Sequence, residues 1–138
     1  MKYDELIQLY FERSNALQGY WTLYVVIVGG VLAFSSLRKQ SAAITTLIVS
    51  ILFGLFAYEN MDAILTVTRQ RHATLAAIKQ ADSNTAAEIK PLRDLLEPTL
   101  TPAPESSTKR THLVSDILTI LALWAMEFRR RRNQAATA

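Results

Sequence analysis

No residue between Arg13 and Arg38 carries a formal charge, and the stretch runs through Val25, Val26, Ile27 and Val28 into Gly29, Gly30, Val31, Leu32, Ala33 and Phe34. A helix over residues 17–37 covers roughly 30 Å at roughly 1.5 Å per residue, the thickness of a bilayer's hydrocarbon core. Lipid offers a backbone no hydrogen-bond partner, so a stretch of this length and polarity has to be a helix if it crosses. It does not read as a cleavable signal, because residues 1–15 set Asp4, Glu5 and Glu12 against Lys2 and Arg13 instead of supplying a basic leader. Tyr20, Trp21 and Tyr24 at its start read as an interfacial aromatic belt.

A second apolar block, residues 42–61, follows after only Arg38, Lys39, Gln40 and Ser41. So short a link forces an antiparallel hairpin, which occupies residues 16–62. Counting outward from the turn brings Tyr20 level with Glu59 and Trp21 level with Tyr58, so Glu59, Asn60 and Asp62 are expected at headgroup depth. A third block, within residues 111–128, is shorter and interrupted by Ser115, Asp116 and Thr119. On a helical wheel His112, Ser115, Asp116, Thr119 and Met126 share one sector and the remainder is apolar. That pattern suits a membrane helix that turns a narrow polar stripe toward protein or water. An in-plane interfacial helix is the rival, but it would carry a wide, basic polar face.

The fold class expected is therefore an all-α integral membrane protein: a transmembrane hairpin plus a third, C-terminal transmembrane helix. Basic residues set the orientation. Arg38 and Lys39 at the turn and Arg129, Arg130, Arg131 and Arg132 after the third block fall on one side if the chain crosses three times. The positive-inside rule makes that side cytoplasmic, with the amino terminus outside. Residues 129–138 are then a basic cytoplasmic tail in a multi-pass protein of the inner or plasma membrane.

Outside the bilayer, Tyr3, Leu6, Ile7, Tyr10 and Phe11 recur at helical spacing opposite Asp4, Glu5, Gln8 and Glu12, which predicts an amphipathic interfacial helix over residues 1–15. Its acidic face favours protein over anionic headgroups. Ile64, Val67, Leu75 and Ile78 extend the second helix as a stalk. Ser83, Asn84 and Thr85 break it, Thr85 with Glu88 has capping-box spacing, and Ile89, Leu92, Leu95 and Leu96 face a return helix that Pro91 kinks and Pro98 ends. Stalk and return helix together take residues 63–98. Residues 99–110, with Pro102 and Pro104, read as an extended linker.

Helices in lipid associate by close packing, so small residues mark contacts. Gly29 and Ala33 on the first span, and Thr46, Ser50, Gly54 and Ala57 on the second, are expected to pack within the hairpin, with a subunit interface as the alternative. Glu59 and Asp62 face away from that stripe, as solvated charges paired with Arg69 or Arg71 or as a carboxylate ring at a pore mouth. Asp116, Ser115 and Thr119 are the candidate pore-lining or intramembrane polar residues, Asp116 either lining a pore or snorkelling to water.

Several classes fall away. Without cysteine there is no disulfide, thiolate nucleophile or zinc site built on sulfur. His72 and His112 have no second ligand at metal spacing, and no phosphate loop or nucleophile elbow is present, so neither a cofactor nor an enzyme is expected. The formal charge of +3 concentrates beside apolar segments, without the interleaved aromatics of a nucleic-acid surface. The arginine end reads as an anchor that also suits anionic lipid.

Three spans, an outside amino terminus and a charged inside tail resemble the three-span phage holins in topology, though the long segment between the second and third spans departs from them. A hairpin with a helical extramembrane part is similar in outline to small two-span effectors of bacterial defence systems. Both resemblances imply permeabilisation of a bacterial membrane by a homo-oligomer. The expected function is thus a homo-oligomer acting as pore, channel or membrane-permeabilising effector. The alternative is an accessory or assembly subunit of a larger membrane complex, so the partners are lipid and membrane protein.

Overall fold

The computed structural model describes residues 2–81 and 90–137, which form helices and no strand. The helices are α1 (Tyr3–Leu37), α2 (Ala43–Gln80), α3 (Lys90–Leu96) and α4 (Glu105–Thr137), with a 3-10 turn at Glu97–Thr99. The breaker at Ser83, Asn84 and Thr85, the capping pair Thr85 and Glu88, and Ile89 lie outside the described residues. Helices α1, α2 and α4 are each long and apolar enough to cross a membrane, the signature of a multi-pass membrane protein.

The turn between α1 and α2 is tied by Arg38, whose Nη1 donates to Thr46 Oγ1 and Nη2 to the Ala42 carbonyl, 3.1 and 3.2 Å away. α4 returns against both members of the hairpin, antiparallel to α2 and parallel to α1. Tyr24, Phe53 and Ala57 are buried at the centre, with Trp21, Ile27, Val31 and Ile120 packed on them. Val25, Val26 and Phe34 of α1, Ile48, Leu52 and Leu55 of α2, and Leu118 and Leu121 of α4 are exposed. They form an apolar belt that water would not tolerate on a lone subunit and lipid would.

Three boundaries differ from those expected. The amphipathic segment over residues 1–15 is not a separate interfacial helix but the first third of α1. No proline interrupts it, and its stripe of Tyr3, Leu6 and Tyr10 packs with Ile78 of α2 and with Leu100, so protein takes the place of the bilayer as the covering surface. The linker ends early, because α4 begins at Glu105. The Pro104 carbonyl accepts the Thr108 N–H at 3.1 Å, and a glutamate opening a helix free of Pro and Gly suits the positive end of the helix dipole. The tail is helical to Thr137, since arginine and alanine are strong helix formers and Arg130 and Arg131 fall three and four residues after Glu127.

The stalk above the belt has its own ties. Arg71 Nη2 donates to the Tyr10 hydroxyl at 3.0 Å, Arg69 pairs with Glu105 at 3.0 Å, and His72 Nε2 meets the Ala103 carbonyl at 3.1 Å. The Arg93 guanidinium lies over the Tyr3 ring. Burial, and then the neighbouring Glu97 carboxylate, push the Tyr3 hydroxyl above its ordinary pKa of 10.0.

Candidate functional site

The described spans bury two polar networks, one near each end of the apolar belt. The first joins all three long helices. Asp116 on α4 accepts a hydrogen bond from the Tyr24 hydroxyl of α1 through Oδ1 at 2.7 Å, and its Oδ2 lies 2.9 Å from His112 Nδ1, one turn earlier. The other ring nitrogen, Nε2, lies 3.2 Å from Asn60 Oδ1 of α2. Asn60 Nδ2 in turn donates to the Tyr20 carbonyl at 3.2 Å. His112 is 0% exposed and Asn60 4%, and the rings of Trp21 and Tyr24 lie against the imidazole, with centroids 5.7 and 4.3 Å away.

These contacts constrain which groups donate and which accept. A carbonyl only accepts, so Tyr20 forces the Asn60 amide to present its NH2 there and its oxygen to His112. Nε2 must therefore carry a hydrogen. The opposite nitrogen faces a carboxylate that also takes the Tyr24 hydroxyl, so one hydrogen lies between Nδ1 and Oδ2. Imidazolium beside carboxylate, or imidazole beside carboxylic acid, satisfies every partner, and both are electrically neutral overall. The network is a polar set whose members are hydrogen-bonded to one another across the three helices.

The second network lies at the turn end. Glu127 of α4 is 0% exposed. Its Oε2 accepts from Thr46 Oγ1 at 3.1 Å and from Arg130 Nη2 at 3.2 Å, with Arg38 Nη2 at 3.7 Å. Arg130 reaches across to α1, donating to the Ser35 carbonyl at 2.6 Å. Ser41 at the turn donates to Gln134 at 2.7 Å. One carboxylate thus gathers arginines from the turn and the tail, and α4 is clamped to the hairpin at both ends of the belt.

No protein-family model, curated protein or solved structure matches this chain.

The residues singled out by sequence distribute unevenly. Asp116, Ser115 and Thr119 lie on the inward face of α4, and Thr119 donates to the Ser115 carbonyl at 2.8 Å within its own helix. Thr46 and Ala57 are buried, Ser50 and Gly54 half-buried on the same stripe of α2. Gly29 and Ala33 do not pack within the hairpin: both are exposed, and a Cβ built on Gly29 meets nothing within 4 Å. α1 turns the face bearing Tyr24 and Ser35 inward instead, because those side chains have partners there. Glu59 and Asp62 are exposed, and Arg69 and Arg71 bond elsewhere. Arg38 and Arg130 are in the clamp, Arg131 touches it at 3.5 Å, and Lys39, Arg129 and Arg132 are exposed.

Sequence reasoning placed Tyr24 in the interfacial belt, whereas its hydroxyl is inside the bundle. It passed over Asn60, Ser35 and Glu127 as network members. For Glu127 a signal existed: it lies three helical turns beyond Asp116 on the same face, with Leu123 between.

Proposed function

We propose that the chain is an accessory or assembly subunit of a larger membrane complex, with its amino terminus and stalk outside and its arginine-rich end in the cytoplasm. One observation carries the reading. Asp116, Ser115 and Thr119, the polar residues that a pore would need on its axis, are bonded inside a single subunit, and the outer surface of the spans is an apolar belt. Such a subunit works by holding other helices, not by lining a water path. The outward face of α1 suits that role, since Gly29, Gly30 and Ala33 leave room for a neighbouring backbone to approach. The stalk, rising beyond the belt, gives a partner a second surface to grip. Orientation rests on Arg38, Lys39 and Arg129, Arg130, Arg131 and Arg132, which share one end of the bundle.

The bare glycine face also favours a second reading, a homo-oligomer that permeabilises the membrane. In that case the α4 stripe has to leave the bundle to reach an axis. Purification of the full chain in mild detergent from its native membrane separates the two. Stoichiometric foreign membrane proteins are expected under the accessory reading. A ring containing this chain alone, with conductance in planar bilayers, would overturn it in favour of the pore.

A further inference from the structure

Beside the Glu127 clamp, between the end of α1 and α4, lies a hollow of about 230 Å³ lined by Ser36, Arg38, Met126, Arg129, Arg130 and Asn133. At about 30 Å³ per water in the liquid, that is space for several waters or one phosphate with its first ester groups. We infer that this hollow binds the phosphate of an anionic lipid headgroup in the leaflet on the turn side.

Three features argue for phosphate. The first is charge: three guanidinium groups line the hollow, and the nearest carboxylate, Glu127, lies behind them with its Oε2 taken up by Thr46 and Arg130. The second is unused donors. Arg130 is fixed by its Nη atoms to Ser35 and Glu127, which holds its charge at the wall of the hollow. Arg129 is exposed, and no described residue pairs with it. The Arg129 guanidinium, at the wall of the hollow, is thus available to donate to phosphate oxygens, the acceptors its planar fork suits. The third is a lipid's own geometry. The lining residues Ser36, Arg38 and Arg129 adjoin Leu37, Phe34 and Phe128, which are exposed at the end of the apolar belt. A headgroup seated there leaves its acyl chains against those side chains. Free phosphate would gain nothing from them, and a zwitterionic headgroup would bring an ammonium toward three cations.

The test uses the full chain, purified and delipidated in detergent, with thermal stability followed as short-chain phosphatidylglycerol, short-chain phosphatidylcholine or inorganic phosphate is added. Phosphatidylglycerol is expected to stabilise the protein at concentrations where phosphatidylcholine and inorganic phosphate do not. Arg129→Ala should leave the lipid-free melting temperature unchanged and weaken phosphatidylglycerol binding by about tenfold or more, the scale of a lost charge-assisted hydrogen bond. Arg132→Ala removes the same charge without lining this hollow, and should cost no more than about fivefold, the diffuse attraction of one basic residue. Equal stabilisation by the two lipids would overturn the proposal. Stabilisation by inorganic phosphate alone would assign the hollow to the free ion instead, and equal losses in the two variants would reduce it to a diffuse surface charge.

Discussion

Asp116→Leu is expected to loosen α4 from the hairpin by about 3 kcal/mol or more, because two buried groups lose their partner at once: the Tyr24 hydroxyl and the Nδ1 edge of His112. Asp116→Asn separates hydrogen bonding from charge. The asparagine oxygen can still accept from Tyr24 and its NH2 can donate to Nδ1 of a neutral imidazole, leaving Nε2–H on Asn60. Every group stays satisfied, so the cost should be about 1 kcal/mol or less. The reporter is Trp21, whose ring lies 5.7 Å from the imidazole. Its fluorescence during denaturation with SDS, in a Trp124→Phe background, gives the midpoint for each variant. If asparagine costs as much as leucine, the network depends on the His112–Asp116 ion pair, and hydrogen-bond satisfaction alone does not account for its stability.

Glu127→Leu should cost about 3 kcal/mol, the lower end of the range for stripping one partner from a buried ion pair. Arg130 and Arg38 are left with side chains only 11% and 15% exposed and without their common carboxylate. The lower end applies because both stems are long enough to carry their charge toward the headgroups once released. Glu127 and Asp116 are three turns apart, roughly 16 Å at roughly 1.5 Å per residue, and share no partner. Their effects should therefore add to within about 0.5 kcal/mol. A combined variant measured by the same denaturation checks this. A loss well below the sum would mean that α4 detaches as a unit from either end, so that the two clamps are one.

The spans were legible because their signal is local: a charge-free run between Arg13 and Arg38 has few other fates, and the brevity of the turn makes a hairpin unavoidable. Which way a helix faces is not local. The wheel grouped His112, Ser115, Asp116 and Thr119 correctly as one stripe, but a stripe says which side chains share a face and not what lies opposite it. Tyr24 illustrates the limit, since an aromatic at headgroup depth and one sealing a bundle look alike in sequence. So do Gly29 and Ala33, whose spacing fits either the hairpin contact or the outer surface that they occupy. Glu127 was hidden by its own neighbours: beside four arginines it reads as a surface pair, and only Thr46 and Arg38, brought in by the fold, make it a buried hub. The continuity of α1 depends likewise on Ile78 and Leu100, distant residues that cover the stripe of Tyr3, Leu6 and Tyr10.

The central claim is that α4 crosses the membrane beside α1 with its polar face turned into the subunit. Because the chain has no cysteine, single cysteines at the exposed positions Asn15, Ala103 and Ala136 can be probed in intact cells with a membrane-impermeant thiol reagent and no background. Labelling of Asn15 and Ala103 from outside, with Ala136 reached only after permeabilisation, is the result expected. Ala103 and Ala136 labelled from the same side would mean that α4 does not cross, and the three-helix account would be wrong.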